Sequence, residues 1–300
     1  MDHKSGKKPI YSATADDAGQ RLDNYLLKQA KSWRKNELYK LIRKGQVRIN
    51  GKRVKPDARI AEGDQIRVPP PVFYAARPTP AVSAQQRRSL QQQVLYEDAN
   101  YLVLNKPAGW PVHAGSGHPV GVIEVANSWS NEASLQLAHR LDKDTSGCLL
   151  LTKSRQSLTR FQAALQQQQV KKTYLAILNG VLDSAKTVDL SLDTGHRVEG
   201  IRTVIPSTAG QSAHTEFTPL RWDAQMTLVR CQIRSGRTHQ IRVHAQTLGV
   251  PVLGDAHYGT AAPQLPRALY LHAAELAFDQ HVWQAPTPPE FDRLLPLDEA

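Results

Sequence analysis

The chain has 300 residues, 40% of them hydrophobic, so it can bury a substantial core in one large domain or two unequal ones. Its formal net charge is +11, no apolar run approaches membrane-spanning length, and the N-terminus lacks the apolar core of a signal peptide. The two cysteines, Cys148 and Cys231, lie in apolar strand patterns, which excludes a Cys-rich zinc site. We therefore expect a cytoplasmic protein with buried free thiols and no membrane partner.

The positive charge is concentrated near the N-terminus. Residues 1–70 contain 17 Lys and Arg against 8 Asp and Glu, a net charge of +9, so residues 71–300 carry only +2. This distribution favours an appended module that binds a polyanion, with a general effect on solubility as the alternative.

After a flexible N-terminus over residues 1–14, the pattern predicts a small α/β domain over residues 15–70. A helix is expected over residues 21–30, and a second one from Asn36 as N-cap to Gly45 as its stop. The dipeptide Asn50-Gly51 between alternating residues predicts a hairpin, and a last short strand over residues 65–68 ends at a run of prolines.

The second helix, its lead-in and the hairpin form a basic run with almost no compensating acids, which favours contacts to phosphates over an ordinary solvated face. We predict RNA binding by the following side chains: Arg34, Lys35, Lys40, Arg43, Lys44, Arg48, Lys52 and Arg53.

Residues 71–93 begin with several prolines and continue as a polar Gln-rich segment, so we interpret them as an extended linker. A larger domain is expected over residues 94–295. It opens with two short strands over residues 94–104, followed by Asn105, Lys106 and a glycine-rich loop. That loop lacks the Gly-Lys-Ser/Thr ending and the following helix signal of a phosphate-binding P-loop, so we do not expect nucleotide binding of that kind.

The most informative stretch is Ala138–Leu151, AHRLDKDTSGCLLL. Its apolar end fits a strand buried on both faces, which places Asp142 on a loop held close to the core. A carboxylate there needs a cationic or hydrogen-bonding partner to stay ionised. The alternative from these residues alone is an aspartate that satisfies a turn through its own backbone.

Two other patterns bear on the same stretch. Its Asp and Gly spacing matches the opening of a calcium loop, but Lys153 occupies the position that requires a bidentate Glu. The pair Asp142 and Asp144 also resembles aspartyl phosphotransferases, in which the acid ends an apolar strand, whereas here the apolar run follows the acid. No metal site is predicted.

Further along, Ser154 is expected to cap a helix, and residues 171–178 read as a strand that includes Tyr174. Another strand over residues 227–233 leads into a helix with Thr238 as cap and Gly249 as its stop. His239 and His244 are five residues apart, which does not align them for metal binding, so we interpret them as polar residues of that helix.

Several of these segments resemble the pseudouridine synthase family. Within that family they resemble the ribosomal large-subunit enzymes, and in particular those of the C type. The resemblance rests on HRLD followed by Thr145, Ser146 and Gly147, on the Asn-Lys-Pro-x-Gly motif at Asn105, and on the His113 to Glu124 segment. It continues with the Lys-x-Tyr, Gln-Ile-Arg and Leu-Gly-Asp motifs and with Leu271, His272 and Ala273. The N-terminal module resembles the RNA-binding domain of ribosomal small-subunit protein four. Two positions depart from the pattern: Ala114 replaces a frequent Gly, and Ser235 a frequent Thr.

The resemblance implies a role for each matching side chain. Asp142 is the expected catalytic carboxylate and Arg242 its partner, although from the residues alone Arg242 could be an ordinary surface arginine. Tyr174 is expected to stack on the target base and to assist proton removal; a half-buried sheet aromatic is the alternative. Leu271 is expected to pack against the flipped base and Arg140 to fill the vacated space. His139, Asn105 and Lys106 are further expected substrate contacts.

The implied fold is α+β, with a mixed, mostly antiparallel sheet flanked by helices and preceded by the small RNA-binding domain. The implied reaction isomerises uridines in 23S ribosomal RNA or a large-subunit precursor, by a monomer without metal or organic cofactor. Two alternatives belong to other classes: an RNA-binding ribosome-assembly factor without catalysis, and an aspartyl phosphotransferase.

Overall fold

The computed structural model describes residues 10–29, 35–69, 82–115, 118–130, 135–198 and 201–295. The chain divides into two compact units, Met1–Ala81 and Val82–Ala300. No helix in the described ranges has both the length and the apolar character needed to cross a bilayer.

The first unit combines two helices with a small antiparallel sheet in the strand order β1-β4-β2-β3. Its core is formed by apolar side chains from both helices and three strands, among them Leu22, Leu38 and Ile66, which are fully buried. The elements are β1 (Ile10–Ser12), α1 (Leu22–Gln29), α2 (Lys35–Arg43), β2 (Arg48–Ile49), β3 (Lys52–Arg53) and β4 (Gln65–Arg67).

The predicted hairpin is present between β2 and β3. Asn50 and Gly51 have φ angles of 49° and 78°, and two consecutive left-handed residues are what a two-residue hairpin turn with the twist of its strands requires. The predicted N-cap is wrong: α2 already begins at Lys35, so Asn36 lies inside its first turn.

The basic run lies on α2 and the adjoining hairpin. Lys40, Arg43, Lys44, Lys52 and Arg53 are all exposed. The guanidinium of Arg48 donates to the carbonyl oxygens of Gly45 and Gly51, and that of Arg53 to Lys44, so these two arginines also fasten the hairpin to the end of the helix. Arg34 and the side chain of Lys35 lie outside the described residues.

The second unit is α+β. Its helices are α3 (Ala84–Gln91), α4 (Val122–Asn127), α5 (Arg155–Gln166), α6 (Gln240–Thr247) and α7 (Pro289–Leu294). Its main strands are β5 (Val94–Glu97), β6 (Tyr101–Lys106), β7 (Gln136–Leu137), β8 (Ser146–Thr152), β9 (Lys171–Asn179), β10 (Lys186–Asp189), β15 (His214–Trp222), β16 (Met226–Ile233), β17 (Leu271–Phe278) and β18 (His281–Gln284). Four two-residue strands form small ribbons: β11 (Leu192–Asp193), β12 (Arg197–Val198), β13 (Ile201–Arg202) and β14 (Ile205–Pro206).

The main strands form one mixed sheet in the order β10-β15-β16-β9-β17-β8-β6-β5, with β7 beside β8 and β18 beside β17. Only β17 and β8 pair in parallel within the described residues, so the sheet is mostly antiparallel.

Strand β8 is buried along its whole length, as predicted for the apolar run after Asp142. Leu149 and Leu151 face the core cluster that contains α4 and α6, whereas Cys148 and Leu150 face the cluster that contains Phe161 of α5. The sheet is therefore covered by helices on both sides, which fixes β8 and the loop before it. Cys148 and Cys231 are buried free thiols, as expected.

Two segments differ from the sequence-based interpretation. Residues 84–91 of the supposed linker form α3, whose N-cap Ser83 accepts a hydrogen bond from the backbone N–H of Gln86, and whose Leu90 is fully buried in the core of the second unit. The glycine-rich loop is followed by α4, whose first turn has Glu124 bonded back to the N–H of Gly121. A single buried leucine in a polar segment was too weak a signal to predict the first of these.

Candidate active site

Three neighbouring strands bring Asp142, Leu271 and Tyr174 together. Leu271 is the first residue of β17, and Tyr174 pairs with Ala273 of that strand from the middle of β9. Ala273 also pairs with Gly147 of β8, and Asp142 lies in the loop just before β8. Asp142, Leu271 and Tyr174 consequently line one pocket in the second unit.

The loop that carries Asp142 is fastened at several points. The backbone N–H of Thr145, a buried residue, donates to the carbonyl oxygen of Asp142 at 3.2 Å. The ammonium group of Lys106 donates to the carbonyl oxygens of Pro107, Trp110 and Lys143, each at 2.8 Å. Lys106 thus joins the loop after β6 to the loop that carries Asp142.

Lys106 is fully buried, and its three donors are all used on these carbonyl groups. Burial lowers its pKa to about 7, against the charges of Asp144 and Asp142, which raise it. The side chain therefore has a structural role in place of the expected substrate contact. Asn105 lines a separate cavity with Lys106, apart from the pocket of Asp142.

Arg242 lies on α6 and faces two carboxylates. It binds Asp255 through two parallel hydrogen bonds, from Nε at 2.7 Å and from Nη2 at 2.8 Å, and its Nη1 lies 3.8 Å from Oδ2 of Asp142. Asp255 is fully enclosed and accepts two further hydrogen bonds from the N–H groups of His257 and Tyr258. The expected pairing of Arg242 with Asp142 is thus present as a longer ion pair, and Asp255 supplies the anchor.

The charges in this group favour the ionised forms. Burial on its own would lower the pKa of Arg242, but the hydrogen bonds to Asp255 and the charges of Asp255 and Asp142 raise it. Burial would raise the pKa of Asp255, and the hydrogen bonds from Arg242 keep it below its usual range. A fixed cation therefore stands beside the Asp142 carboxylate, whose side chain is 23% exposed.

His239 faces Asp142 from the other side. It is the residue before α6 and has a left-handed backbone, with φ of 53°, so it is not a member of the helix as predicted. Its Nε2 lies 3.9 Å from Oδ2 of Asp142, and its Nδ1 lies 2.8 Å from the Tyr258 hydroxyl. Burial lowers the pKa of His239 to about 4, although the charge of Asp142 raises it, so the ring is neutral at pH 7. His244, by contrast, is buried on Thr215 and Leu190.

Tyr174 forms one wall of the pocket. It is 8% exposed, and its hydroxyl has no hydrogen-bond partner in the part of the chain that the structure describes. Burial raises its pKa well above the usual range, and the negative charge of Asp142 adds to the effect. The side chain is therefore a neutral phenol that presents an apolar face and a free hydroxyl to whatever enters the pocket.

The similarity of this chain to known proteins indicates what this pocket does. Residues 100–247, which include Asp142, Tyr174 and Arg242, match the RNA pseudouridylate synthase family. A ribosomal large subunit pseudouridine synthase C from Escherichia coli strain K12 is 43% identical over 281 residues, which cover 90% of this chain and 88% of the relative. The chain belongs to the RNA pseudouridylate synthase family.

Other relatives agree with this assignment. A ribosomal large subunit pseudouridine synthase C from Vibrio vulnificus is 40% identical over 297 residues, covering 95% of this chain and 93% of the relative. The solved structure of human RNA pseudouridylate synthase domain containing 4 is 26% identical, has a TM-score of 0.58, and covers 70% of this chain and 96% of its own. Residues 20–66 match the S4 domain, so this synthase carries an S4 RNA-binding domain before its catalytic fold, as the sequence resemblance implied.

Arg140 and His139 are two more residues expected to touch substrate in this synthase. Both lie in the HRLD motif with Asp142, and they have different surroundings. Arg140 is exposed and lines the pocket beside Asp142. His139 points back into the fold: its Nε2 accepts the N–H of Leu150 at 3.0 Å, and its ring packs on Phe161 of α5. Burial lowers the pKa of His139 to about 3, so it is a neutral structural residue.

The sequence-based reasoning missed the group formed by His239, Asp255 and Tyr258. The Leu-Gly-Asp motif and Tyr258 were matched to the family but given no function, and His239 was read as a helix residue. Their common feature, contact with Arg242 or Asp142, arises only from the tertiary fold. No group of three His, Cys, Asp or Glu side chains in the described ranges could hold a metal ion.

Proposed function

We propose that this synthase isomerises uridine to pseudouridine in 23S ribosomal RNA, with Asp142 as the catalytic carboxylate. The observation that carries the proposal is the pocket in which Asp142 faces the fixed cation of Arg242 across from the buried Tyr174 and Leu271. The large-subunit relatives and the S4 domain support ribosomal RNA as the substrate.

The reaction breaks the bond between ribose C1′ and uracil N1, turns the base and joins C1′ to C5. A proton leaves C5 and N1 gains one, so substrate and product are isomers. The reaction has no net redox change. A carboxylate suits this chemistry because it can act on the sugar as a base or as a nucleophile. Arg242 places a cation beside the Asp142 carboxylate, and because two parallel hydrogen bonds to Asp255 hold Arg242, the cation stays in place through the reaction.

Tyr174 and Leu271 are suited to hold the detached base. An aromatic face and an aliphatic side chain stack and pack on a pyrimidine without fixing its orientation, which leaves it able to turn. Removing a uridine from its stack costs a few kcal/mol, and exposed Arg140 at the pocket is placed to occupy the vacated space. Because Tyr174 is a neutral phenol, its hydroxyl acts as a hydrogen-bond donor. It gives up its proton only to a base that is stronger than its own phenolate form.

The exposed cations of the S4 domain, Lys40, Arg43, Lys44, Lys52 and Arg53, supply binding energy that offsets this cost. We also propose that a monomer is active, as the family resemblance implies. An enzyme with this substrate works where ribosomal RNA is assembled, which we take to be the cytoplasm. The phosphotransferase alternative is wrong, because the family catalyses a different reaction.

The test is tritium release from 23S RNA labelled at uracil C5, with Asp142→Asn compared with Asp144→Asn. Asp144 lies two residues away in the same loop and does not line the pocket, so its variant controls for the loss of one charge. We expect Asp142→Asn to bind RNA but to lose at least about 10³-fold in rate, with Asp144→Asn near the native rate. Full activity in Asp142→Asn would refute the catalytic assignment. Tight binding without release by the native protein would favour the assembly-factor alternative.

A further inference from the structure

Lys172 is a buried cation without a counterion. It follows Lys171 on β9, and because side chains alternate along a strand, Lys171 is exposed whereas Lys172 is only 9% exposed. The ammonium group of Lys172 has no hydrogen-bond or ion-pair partner within the described residues. Buried charges in proteins are normally paired, so Lys172 is a candidate contact for an anion.

The side chain lies in a cavity of about 470 Å³ beside the Asp142 pocket. Four cationic side chains line this cavity: Arg140, Lys172, Arg234 and Arg237. Among the described residues, no acidic side chain lines it. Arg234 is 63% exposed and contacts Glu216 outside the cavity, while the Nε of Arg237 donates to the carbonyl oxygen of Ser212.

Gly236 keeps the space around Lys172 open. A Cβ atom at position 236 would lie 3.2 Å from Nζ of Lys172, so a side chain there would crowd the ammonium group. The electrostatics agree with an anion-binding site. Burial lowers the pKa of Lys172 to about 8, the positive charge of Arg237 lowers it further, and no acid raises it.

The cavity is continuous with the pocket proposed for the uridine. Arg140, Tyr174, Gly236 and Arg237 line both. RNA carries a phosphodiester on each side of every nucleotide, so when the target uridine enters the Asp142 pocket, a flanking phosphate must lie close by. We propose that this cavity binds the backbone phosphate next to the target uridine, with Lys172 as its buried contact. This proposal rests on the proposed function.

The charge balance supports a phosphate over the base or ribose. A phosphodiester supplies the negative charge that the described lining of the cavity lacks, and its non-bridging oxygens accept hydrogen bonds from ammonium and guanidinium groups. A contact inside a cavity also has lower dielectric surroundings than one on the S4 surface, so the same ion pair is stronger there. The site would thereby position the nucleotide to be modified, in addition to holding the RNA.

The first test compares Lys172→Met with Lys171→Met, which remove the same charge from adjacent positions on opposite faces of β9. We measure the dissociation constant of a 23S RNA transcript at several salt concentrations. We expect Lys172→Met to bind about tenfold more weakly and to reduce the slope of log affinity against log salt by about 0.7–0.9, the value of one phosphate contact. Lys171→Met should keep the native slope. Equal behaviour of the two variants would overturn the proposal.

The second test begins with the native protein, so its first readout does not depend on the folding of a variant. Once the modified uridine has been mapped, RNA fragments are made with one neutral methylphosphonate linkage beside it, on either side in turn. At one of the two positions we expect a loss in affinity that matches Lys172→Met and is not additive with it. Additive losses, or no loss at either position, would refute the phosphate site. If the native protein released no tritium but showed the Lys172-dependent salt slope, the proposed function would fail and the anion site would stand.

Discussion

The Tyr258 hydroxyl lies 2.8 Å from Nδ1 of His239, while Nε2 of the same ring faces the Asp142 carboxylate at 3.9 Å. A carboxylate only accepts hydrogen bonds, so it favours the neutral tautomer that carries its hydrogen on Nε2. In that tautomer Nδ1 accepts the hydrogen of the Tyr258 hydroxyl, whose oxygen also accepts the backbone N–H of Val204 at 2.9 Å. The two contacts together fix the tautomer, and Arg242 and His239 both present N–H groups to Asp142.

Removing the Tyr258 hydroxyl tests this arrangement. In Tyr258→Phe the tautomer of His239 is no longer fixed, and we expect the single-turnover rate to fall by up to about tenfold, the value of one net hydrogen bond, with RNA affinity unchanged. The buried N–H of Val204 loses its acceptor, so the free energy of unfolding should fall by about 1–3 kcal/mol. Tyr270→Phe is the matched control, because the Tyr270 hydroxyl is buried with no hydrogen-bond partner among the described residues, and its loss should not destabilise the fold.

Asp255 is expected to be as important for the fold as for the site. Asp255→Asn leaves the largely buried Arg242 cation with one carboxylate instead of two, at a cost of about 3–5 kcal/mol in the free energy of unfolding. The same variant should lower the turnover rate, because Arg242 is no longer held. Asp279→Asn removes one partner of the exposed Arg160–Asp279 pair and should change stability by less than about 1 kcal/mol. Chemical denaturation and tritium release measure the two effects, and equal stability losses would contradict this reading.

The pKa of Lys172 has a consequence for stability against pH. Its value of about 8 lies below the usual 10.5, so the unfolded chain binds more protons between these values, and this contribution to stability rises with pH across that window. Below pH 8 the buried charge carries its full penalty. We expect Lys172→Met to be more stable than the native protein at pH 7, on the order of 3 kcal/mol at most, with the difference shrinking towards pH 10.5. Melting curves at pH 7 and pH 10 check this, and a pH-independent difference would argue against it.

Gly147 is required where β8 meets β17. Its φ is 107°, and a Cβ atom there would lie 2.2 Å from the carbonyl oxygen of Ala273, which is backbone and cannot move aside. We expect Gly147→Ala to lower the free energy of unfolding by more than about 4 kcal/mol. Gly109 also has a positive φ, 82°, but a Cβ atom there would meet no neighbouring atom within 4 Å. Gly109→Ala therefore tests backbone strain without a steric clash, and it should lower the free energy of unfolding by only about 1–2 kcal/mol. Denaturant titration of both variants makes the comparison.

The local elements were predictable because short-range chemistry specifies them. The Asn50-Gly51 turn, the Ser154 cap and the apolar run of β8 each follow from the conformational preferences of a few adjacent residues. The side chain of Ser154 accepts the N–H of Ser157, as a capping residue should. The family resemblance added the reaction and the residues that face one another in the pocket.

The unpredicted features depend on contacts between distant segments. The strand at Lys171 and Lys172 was predicted from its pattern, but the pairing of β9 with β16 and β17 decides which lysine turns inward. The family motifs paired Arg242 with Asp142 alone. Its closer partner, Asp255, can be identified only from the fold, which packs α6 against the loop that follows it. The sequence could not distinguish Lys106 from a lysine that binds substrate, because only its burial in the folded protein separates these two roles.

The three bonds of Lys106 have a consequence for how this enzyme can change over time. All three acceptors are backbone carbonyl oxygens, which every amino acid provides, so these bonds place no requirement on the side chains at the anchored positions. Exchanges at exposed Lys143, for example, would alter the surface offered to RNA and leave the position of Asp142 unchanged. The choice of uridine can therefore diverge in descendants of this protein while the chemistry is inherited intact, as long as position 106 remains a lysine.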